Sequence, residues 1–216
     1  MISFASPVRK GLVTSLFVLF VALVFIRETS WVINLDQHIY EQAMQFSVSR
    51  AWLIFWQAVT ILGNGTSVYI LCAILAFVYL FQGISKQRFL LILFWTSLFL
   101  INPLLKILFA LDRPVGLSPF YPELTTFTFP SGHSFNAAIL AFFIPRLILA
   151  VSQNKKGLVV WVIQSQIFPL IQCACVLLIP LSRVFLGVHW FSDVVTGAVL
   201  GSLAALVSVE FLERVS

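Results

Sequence analysis

The sequence predicts an all-α integral membrane protein, built as a bundle of six transmembrane helices with one short interfacial helix. Hydrophobic residues make up 60% of its 216 residues and charged residues only 10%. Soluble domains are about 45–50% apolar and about 25% charged, so this chain could not cover a surface that faces water. Several apolar runs also approach the ~20 residues that a helix needs to cross a bilayer.

The predicted spans are the apolar runs between polar breakers. The first run follows Arg9 and Lys10, as a signal peptide would, but no small-x-small cleavage pattern ends it, which favours a retained span. The six predicted spans are Gly11–Ile26, Thr66–Phe81, Phe89–Leu111, His133–Leu149, Leu158–Leu181 with a candidate kink at Pro169, and Trp190–Leu212.

Two shorter segments separate the first two spans. The segment Leu35–Val48 has an amphipathic pattern, which predicts a helix lying in the membrane interface. Its apolar face consists of Leu35, Ile39, Ala43 and Phe46. Asp36 and most other polar positions fall elsewhere on this helix. The segment Ala51–Leu62 is apolar but too short to span, so it either dips into the membrane or packs on the bundle.

The basic residues predict how the bundle is oriented. The net charge is +5, but the basic residues form no stripe and no nucleic-acid motif, which excludes nucleic acid as a partner. One set of connections carries Arg9, Lys10, Lys86, Arg88, Lys155, Lys156 and Arg214. The other carries Arg27, Arg50, Arg113 and Arg183, with Lys106 near the same end. The larger set is expected in the cytoplasm, together with both termini of a single membrane domain spanning residues 1–216.

Charged and polar residues gather at the outward ends of the predicted spans. A charge within a span costs about 2.5–3.5 kcal/mol, so its presence requires a reason. The groups at this depth are Lys106, Arg113-Pro114, Pro130–His133, Ser182-Arg183, His189 and Asp193. Each has an ordinary explanation by itself, such as snorkelling to the headgroups or helix capping. Together they favour a site for an anion.

The spacing within these groups suits phosphate chemistry. Lys106 and Arg113 are seven residues apart, close to two helical turns, so both are expected to reach one phosphate. His189 and Asp193 are four apart, so the carboxylate is expected to accept the proton of one ring nitrogen and free the other for attack. Ser131 and Gly132 stand at a helix start, where backbone N–H groups favour a bound phosphate.

Three motifs resemble the tripartite signature of the type 2 phosphatidic acid phosphatase superfamily. They are Lys106-x6-Arg113-Pro114 (residues 106–114), Pro130-Ser131-Gly132-His133 (130–133) and Ser182-Arg183-x5-His189-x3-Asp193 (182–193). Many members carry a second Arg-Pro after the first. This chain has Val115-Gly116 there, which leaves the catalytic assignment intact but does not select a subfamily.

The resemblance implies a metal-independent lipid phosphatase without a cofactor. His189 would be the nucleophile that forms a phosphohistidine, Asp193 would orient it, and His133 would be the general acid. The phosphate oxygens would be held by Lys106, Arg113, Ser131, Gly132 and Arg183. The site would face the periplasm or exterior of a bacterial inner (plasma) membrane.

The same resemblance leaves the substrate open. Candidates are undecaprenyl diphosphate, phosphatidylglycerophosphate and phosphatidic acid, in a protein whose partners are lipid phosphates and membrane lipids. The alternatives are a lipid A phosphatase or phosphotransferase, and a catalytically silent membrane protein of the same fold.

Other positions are expected to be structural. Gly197 and Gly201 form a GxxxG, which allows close helix packing or a homodimer face. Asn102 and Asn136 are expected to form interhelical hydrogen bonds, with substrate contact as the alternative. The aromatic loop Val115–Phe129 would guard a lipid entry path or anchor in the interface. The three cysteines are expected to be small buried hydrophobes: Cys72, Cys173 and Cys175.

Overall fold

The fold, seen in a computed structural model, consists of helices and connecting segments, with no strand, in the residues that the structure describes, namely 7–46, 49–81, 97, 100–114, 126–152 and 157–215. The helices are α1 Pro7–Ile26, α2 Ser30–Phe46, α3 Arg50–Ile61, α4 Gly65–Phe81, α5 Leu100–Phe109, α6 Gly132–Ala138, α7 Ile144–Val151, α8 Leu158–Gln164, α9 Phe168–Phe185 and α10 Phe191–Val215. A π-helical turn, Ile139–Phe143, joins α6 to α7 without a break.

Five helical stretches in these described ranges are long and apolar enough to cross a membrane. They are Arg9–Ile26, Arg50–Tyr79, Gly132–Ala150, Phe168–Phe185 and Phe191–Arg214. The short apolar helix α5 covers the end of the predicted span Phe89–Leu111, most of whose remainder lies outside the described residues. Large apolar side chains face outward, including Phe25 at 79% exposure and Phe81 at 77%. Such an apolar surface suits lipid rather than water.

The segment predicted as too short to span continues almost directly into the next helix. Because α3 and α4 are separated only by residues 62–64, they form the 30-residue stretch Arg50–Tyr79. The α3 part packs on α9, where the Trp56 ring stacks on Phe185 with centroids 4.7 Å apart. Of the two interpretations of Ala51–Leu62, packing on the bundle is the one that the structure displays.

The predicted fifth span was wrong as a single helix. The chain forms α8 up to Gln164 and starts α9 at Phe168, with Pro169 in its first turn. Proline is favoured at a helix start because the missing N–H would have no helical partner there. Pro169 therefore begins a helix rather than kinking one.

A second proline, Pro145, lies in the first turn of α7, directly after the π-helical turn of the fourth span. Pro145 has no N–H to donate to the carbonyl of Ala141, one turn earlier. The side-chain amide of Gln172 on α9 donates to this carbonyl at 2.7 Å. The contact satisfies the acceptor that proline leaves behind and ties α9 to the fourth span.

The helix α2 differs from its predicted pattern. It begins at Ser30, and its buried residues are Val32, Asp36 and Ala43, whereas Phe46 is 60% exposed. The buried face is rotated toward Asp36 because that carboxylate accepts two hydrogen bonds from Ser192 at the start of α10. The placement of α2 in the membrane interface remains a prediction.

Helix α10 packs closely on α6 through small residues. A Cβ atom at Gly197 would collide with the Ser131 carbonyl oxygen, and one at Gly201 with that of Phe135. The GxxxG pair thus serves packing within the chain.

The two asparagines form hydrogen bonds between separate parts of the chain. The side-chain amide of Asn102 donates to the carbonyl oxygen of Pro130 at 3.3 Å, and that of Asn136 donates to the carbonyl oxygen of Gly63 at 3.0 Å.

Helices α1 and α10 run antiparallel and are joined by an ion pair at each end. Arg9 pairs with Glu213 at 3.0 Å, and Arg27 pairs with Asp193 at 3.2 Å. The first and last described residues of the chain therefore lie at the end of the bundle away from Asp193.

The three cysteines are all free, and Cys72 is buried as expected. The expectation was wrong for Cys173, which is exposed, and Cys175 is only partly buried.

The glycine packing generates a stability prediction. Gly201→Ala should lower the unfolding temperature in detergent, with a cost of about 1–3 kcal/mol, because the new Cβ meets backbone that cannot move aside. Gly11→Ala is the matched control: its Cβ would meet nothing within 4 Å, so the better helix former should not destabilise α1. Equal melting of both variants would contradict this packing.

Candidate active site

Four helix ends and two connecting segments converge at one end of the bundle. Lys106 lies in the last turn of α5 and Arg183 in the last turn of α9. Gly132 opens α6, and Asp193 lies in the first turn of α10. His189 sits just before α10, in the connection from α9. Every residue that the sequence marked for chemistry is therefore brought to this end.

The imidazole of His189 is at the centre of the site and only 3% exposed. Its Nε2 is 3.4 Å from Nη1 of Arg113, and its Nδ1 is 3.0 Å from the hydroxyl of Thr128. A guanidinium can only donate, so Nε2 must be the acceptor and Nδ1 carries the proton. The lone pair of Nε2 consequently points toward the cationic side of the site.

Thr128 bridges His189 and Asp193. Its hydroxyl donates to Oδ2 of Asp193, and its oxygen accepts the proton of His189 Nδ1. The direct distance from Nδ1 to Oδ2 is 3.5 Å. The sequence argument expected a direct contact on one helical face, but α10 begins at Phe191, so His189 precedes the helix. The two residues meet through the path of the connection rather than through helical periodicity.

The carboxylate of Asp193 is fully buried and receives donors on both oxygens. The N–H of Trp190, the residue before α10, donates to Oδ2 at 3.0 Å. This is half of a capping box, in which a side chain in the first turn satisfies an N–H that has no helical partner. Arg27, the residue after α1, donates to Oδ1 at 3.2 Å.

Lys106 and Arg113 come together, but not on one helical face. Helix α5 ends at Phe109, and Ala110 turns the chain with a φ of +48°. Lys106 donates to the carbonyl oxygens of Phe127 and Thr128 at 2.5 and 3.1 Å. Lys106 and Arg113 both donate hydrogen bonds to the segment that carries Thr128. A continuous helix would not have predicted this arrangement.

The guanidinium of Arg113 braces two segments. Nε and Nη2 donate to the carbonyl and hydroxyl oxygens of Thr126 at 2.8 and 2.9 Å. Nη1 donates to the Val188 carbonyl at 2.6 Å, next to His189. Its remaining Nη1 contact is His189 Nε2, so this N–H is the one placed to meet an anion at that nitrogen.

The start of α6 is built as a capped helix end. Ser131 is fully buried, and its Oγ accepts the N–H of Ser134 at 3.5 Å. Its own N–H donates to the Asp193 carbonyl at 3.0 Å. The N–H groups of Gly132 and His133 belong to the first turn, where helix geometry provides no acceptor. These two groups, rather than that of Ser131, are placed to meet phosphate oxygens.

Arg183 and His133 complete the ring around His189. Arg183 is 3% exposed, and its Nη1 donates to the hydroxyl of Thr60 on α3 at 2.8 Å. His133 is half-buried, next to Gly63, where a Cβ would come within 3.3 Å of its ring. His133 is within electrostatic reach of Arg183, His189 and the two other cations of the site.

The surroundings keep His189 neutral. Burial lowers the pKa of His189 well below its ordinary value, and the positive charges of Arg183, Lys106 and Arg113 lower it further. The imidazole is therefore neutral at neutral pH, with its one proton on Nδ1, and the free lone pair of Nε2 makes this the form that can act as a nucleophile. The same three cations would attract an anion to this nitrogen.

Donors of the kind that hold a catalytic metal are not grouped in the described ranges. No three side chains of His, Cys, Asp or Glu come together there as metal ligands would.

Sequence reasoning missed four residues that shape the site: Arg27, Asp36, Thr60 and Thr128. Only Arg27 carried a signal, because it is a charge at the outward end of a span. A threonine has no local pattern that marks it as a bridge, and Asp36 sat on the face that amphipathicity assigned to solvent.

Comparison with known proteins identifies the family. The model of the PAP2 superfamily matches residues 67–215. The chain belongs to the PAP2 superfamily. It is 30% identical to phosphatidylglycerophosphatase B of Bacillus subtilis over 93% of this chain and 95% of that protein. It is 26% identical to undecaprenyl-diphosphatase of Sulfolobus acidocaldarius over 79% of this chain and 80% of that protein.

A solved structure has the same fold. The crystal structure of a transmembrane PAP2 type phosphatidylglycerolphosphate phosphatase from Bacillus subtilis matches with a TM-score of 0.75 and 27% identity. The match covers 94% of this chain and 97% of that one. Together with the apolar helices, this likeness shows an integral membrane protein of the PAP2 superfamily.

The bridging hydroxyl generates a prediction for the family's reaction. Thr128→Val should lower the turnover of a lipid phosphate about 10- to 100-fold, the range found when a histidine at a metal site loses the hydrogen-bond partner that orients it. Thr128→Ser, which keeps the hydroxyl, should retain most of the turnover measured as phosphate release.

Thr196→Val is the matched control for the bridging threonine. Thr196 is also buried on the bundle, at 1% exposure, and its hydroxyl has no hydrogen-bond partner among the described residues. Its removal should leave turnover unchanged. A Thr128→Val variant as active as Thr196→Val would rule out the bridge.

Proposed function

We propose that this protein is a metal-independent membrane lipid phosphatase that works through a phosphohistidine on His189. One observation carries the proposal. The neutral His189 presents Nε2 to Arg113 at 3.4 Å, while Nδ1 is tied through Thr128 to the buried carboxylate of Asp193. His189 thus has a nucleophilic nitrogen, a group that orients the ring, and a cation beside Nε2 that could bind the phosphate.

The reaction would proceed in two steps. In the first, Nε2 of His189 attacks phosphorus and the bond from phosphorus to the leaving oxygen breaks, while His133 donates a proton to that oxygen. In the second, water attacks phosphorus and gives a proton to His133, the bond from phosphorus to Nε2 of His189 breaks, and orthophosphate leaves. Dividing one difficult displacement into two is the advantage of covalent catalysis.

The phosphate cradle would stabilise the charge of the transferring group. Lys106, Arg113 and Arg183 supply positive charge, and the N–H groups at the start of α6 supply aligned donors. Ser131 supports this cradle mainly as the cap of α6, since its hydroxyl accepts a hydrogen bond from Ser134. No step calls for a metal, because three cations of the chain supply positive charge for the transferring group.

The favoured substrate is a lipid carrying a terminal phosphate. Similarity over 93% of the chain to a phosphatidylglycerophosphatase supports phosphatidylglycerophosphate as the first candidate. The likeness to an undecaprenyl-diphosphatase supports a lipid diphosphate as the second. The proposed roles of the site residues involve only the phosphate group and not the rest of the lipid. Phosphatidic acid is therefore a third candidate substrate.

The orientation of the bundle is part of the proposal. The Arg9–Glu213 pair places the described chain ends opposite the site. Arg9 and Arg214 lie at that end, and the larger set of Lys and Arg in the sequence, to which they belong, supports cytoplasmic termini and an outward-facing site. A green fluorescent protein fused to the C-terminus, which becomes fluorescent in the cytoplasm but not after export by the general secretory route, should be fluorescent; a dark fusion would reverse the orientation.

The nucleophile is tested by a substrate panel. The purified protein should release orthophosphate from phosphatidylglycerophosphate, phosphatidic acid or an isoprenyl diphosphate in micelles, with full activity in excess chelator. His189→Ala should abolish release, a loss of at least about 10³-fold, because no attacking atom remains. His38→Ala, at an exposed position of α2, is the control with normal activity. An active His189→Ala, or a wild type that needs a metal, would contradict the mechanism.

The lowered pKa of His189 generates a pH prediction. The reactive form of His189 is the neutral imidazole, which persists at every pH above its pKa, so the contribution of this group is lost as the pH falls through that lowered value. The acid limb of kcat/KM should therefore lie below pH 6.5, the ordinary value for histidine. A pH series of kcat/KM on one lipid phosphate measures it, and an acid limb above pH 7 would contradict the electrostatic environment described here.

A further inference from the structure

Helix α1 contributes a residue to the rear of the site. Arg27, immediately after α1, donates from Nη2 to Oδ1 of Asp193 at 3.2 Å. The side chain of Arg27 is 11% exposed and that of Asp193 is not exposed at all. Because a guanidinium does not lose its proton in proteins, the positive charge next to this buried carboxylate is permanent.

The two oxygens of Asp193 have separate partners. Oδ2 accepts the Thr128 hydroxyl and the Trp190 N–H, on the side that leads to His189. Oδ1 accepts Arg27 on the other side. A tilt of the carboxylate away from its present plane would weaken the hydrogen bonds on both sides at once. Arg27 therefore holds Oδ2 in the orientation that Thr128 requires.

Arg27 is itself held in place by the segment that carries Thr128. Its guanidinium lies 4.6 Å from the centre of the Phe129 ring, a cation–π contact. Phe129 is fully buried and packs edge-on against Phe109 of α5. Arg27 thus contacts Asp193 directly and the neighbour of Thr128, so it fixes the relative position of the two.

A second carboxylate makes the charge of Arg27 more important. Asp36 on α2 accepts the backbone N–H and the hydroxyl of Ser192, at 2.8 and 2.5 Å. Burial raises the pKa of Asp36, the Ser192 hydrogen bonds lower it, the charge of Asp193 raises it and Arg27 lowers it. Arg27 therefore offsets the repulsion between two buried carboxylates that flank the start of α10.

We propose that Arg27 is a positioning residue for the reaction: it fixes the Asp193 carboxylate so that Thr128 and His189 keep the reactive arrangement. The inference rests on the proposed function of His189. Arg27 acts through Asp193 and does not contact the imidazole or the cations that face it. It also lies outside the matched residues 67–215, so it adds to the three motifs a residue that they do not contain.

The structural alternative is that Arg27 only fastens α1 to α10. The chain offers a matched control, because Arg9 makes the same kind of ion pair between the same two helices at 3.0 Å, with Glu213, at the far end. Arg27→Gln and Arg9→Gln each remove one such pair with the same substitution. Only Arg27→Gln should lower kcat.

The experiment compares the full-length wild type, Arg27→Gln, Arg27→Lys, Arg9→Gln and His189→Ala on one lipid phosphate in micelles. It measures kcat, KM and the inhibition constant of orthophosphate, which reports whether the phosphate cradle is intact. Arg27→Gln should lower kcat about 10- to 100-fold and leave KM and phosphate inhibition within about twofold. Arg27→Lys should have an intermediate kcat, because it keeps the charge but loses the planar fork on Phe129. Arg9→Gln should match the wild type.

Each outcome decides the inference. A normal kcat for Arg27→Gln, or equal losses in Arg27→Gln and Arg9→Gln, would overturn it. If Arg27→Gln does not fold, Arg27→Lys decides instead: a reduced kcat at unchanged KM supports the inference, and a wild-type kcat overturns it. An active His189→Ala would refute the proposed function itself, whereas an inactive one with a normal Arg27→Gln would refute only the role of Arg27.

Discussion

The structure of the site depends on one buried negative charge. The Asp193 carboxylate is removed from solvent, and a charge in that position must be paired and hydrogen-bonded to be tolerated. Its partners come from three parts of the chain: Arg27 after α1, Thr128 before α6 and the N–H of Trp190 before α10. Satisfying this carboxylate therefore fixes how these segments meet, and with them the ring of His189.

Close helix packing makes that arrangement possible. Gly197 on α10 lets the helix approach the backbone of Ser131, whose N–H donates to the Asp193 carbonyl at 3.0 Å. A larger residue would separate α10 from α6 at the depth where the phosphate cradle begins. The packing of the apolar interior therefore affects the polar site: small residues inside the bundle bring the charged residues at its end together.

Residue types and their order along the chain were predictable, whereas the contacts were only partly so. The three motifs led directly to Lys106, Arg113, His133, Arg183, His189 and Asp193, all of which gather at one end. The reasons given for two pairings were wrong, because each assumed a continuous helix. The chain leaves helix α5 at Phe109, and α10 starts only at Phe191, so both pairings come from irregular backbone that periodicity does not describe.

By itself, the sequence determined that the protein is an integral membrane protein and that its candidate site residues lie at one end of its helices. Both follow from local properties, since apolar runs and the cost of a charge within them can be read residue by residue. Only the tertiary structure decided which groups touch Asp193. Arg27 and Thr128 lie 166 and 65 residues away from it in the chain. The charge of Arg27 at the end of a span was visible in the sequence, but no local pattern marked either residue as a partner of Asp193. Their roles exist only once packing has brought α1, α10 and the segment before α6 together.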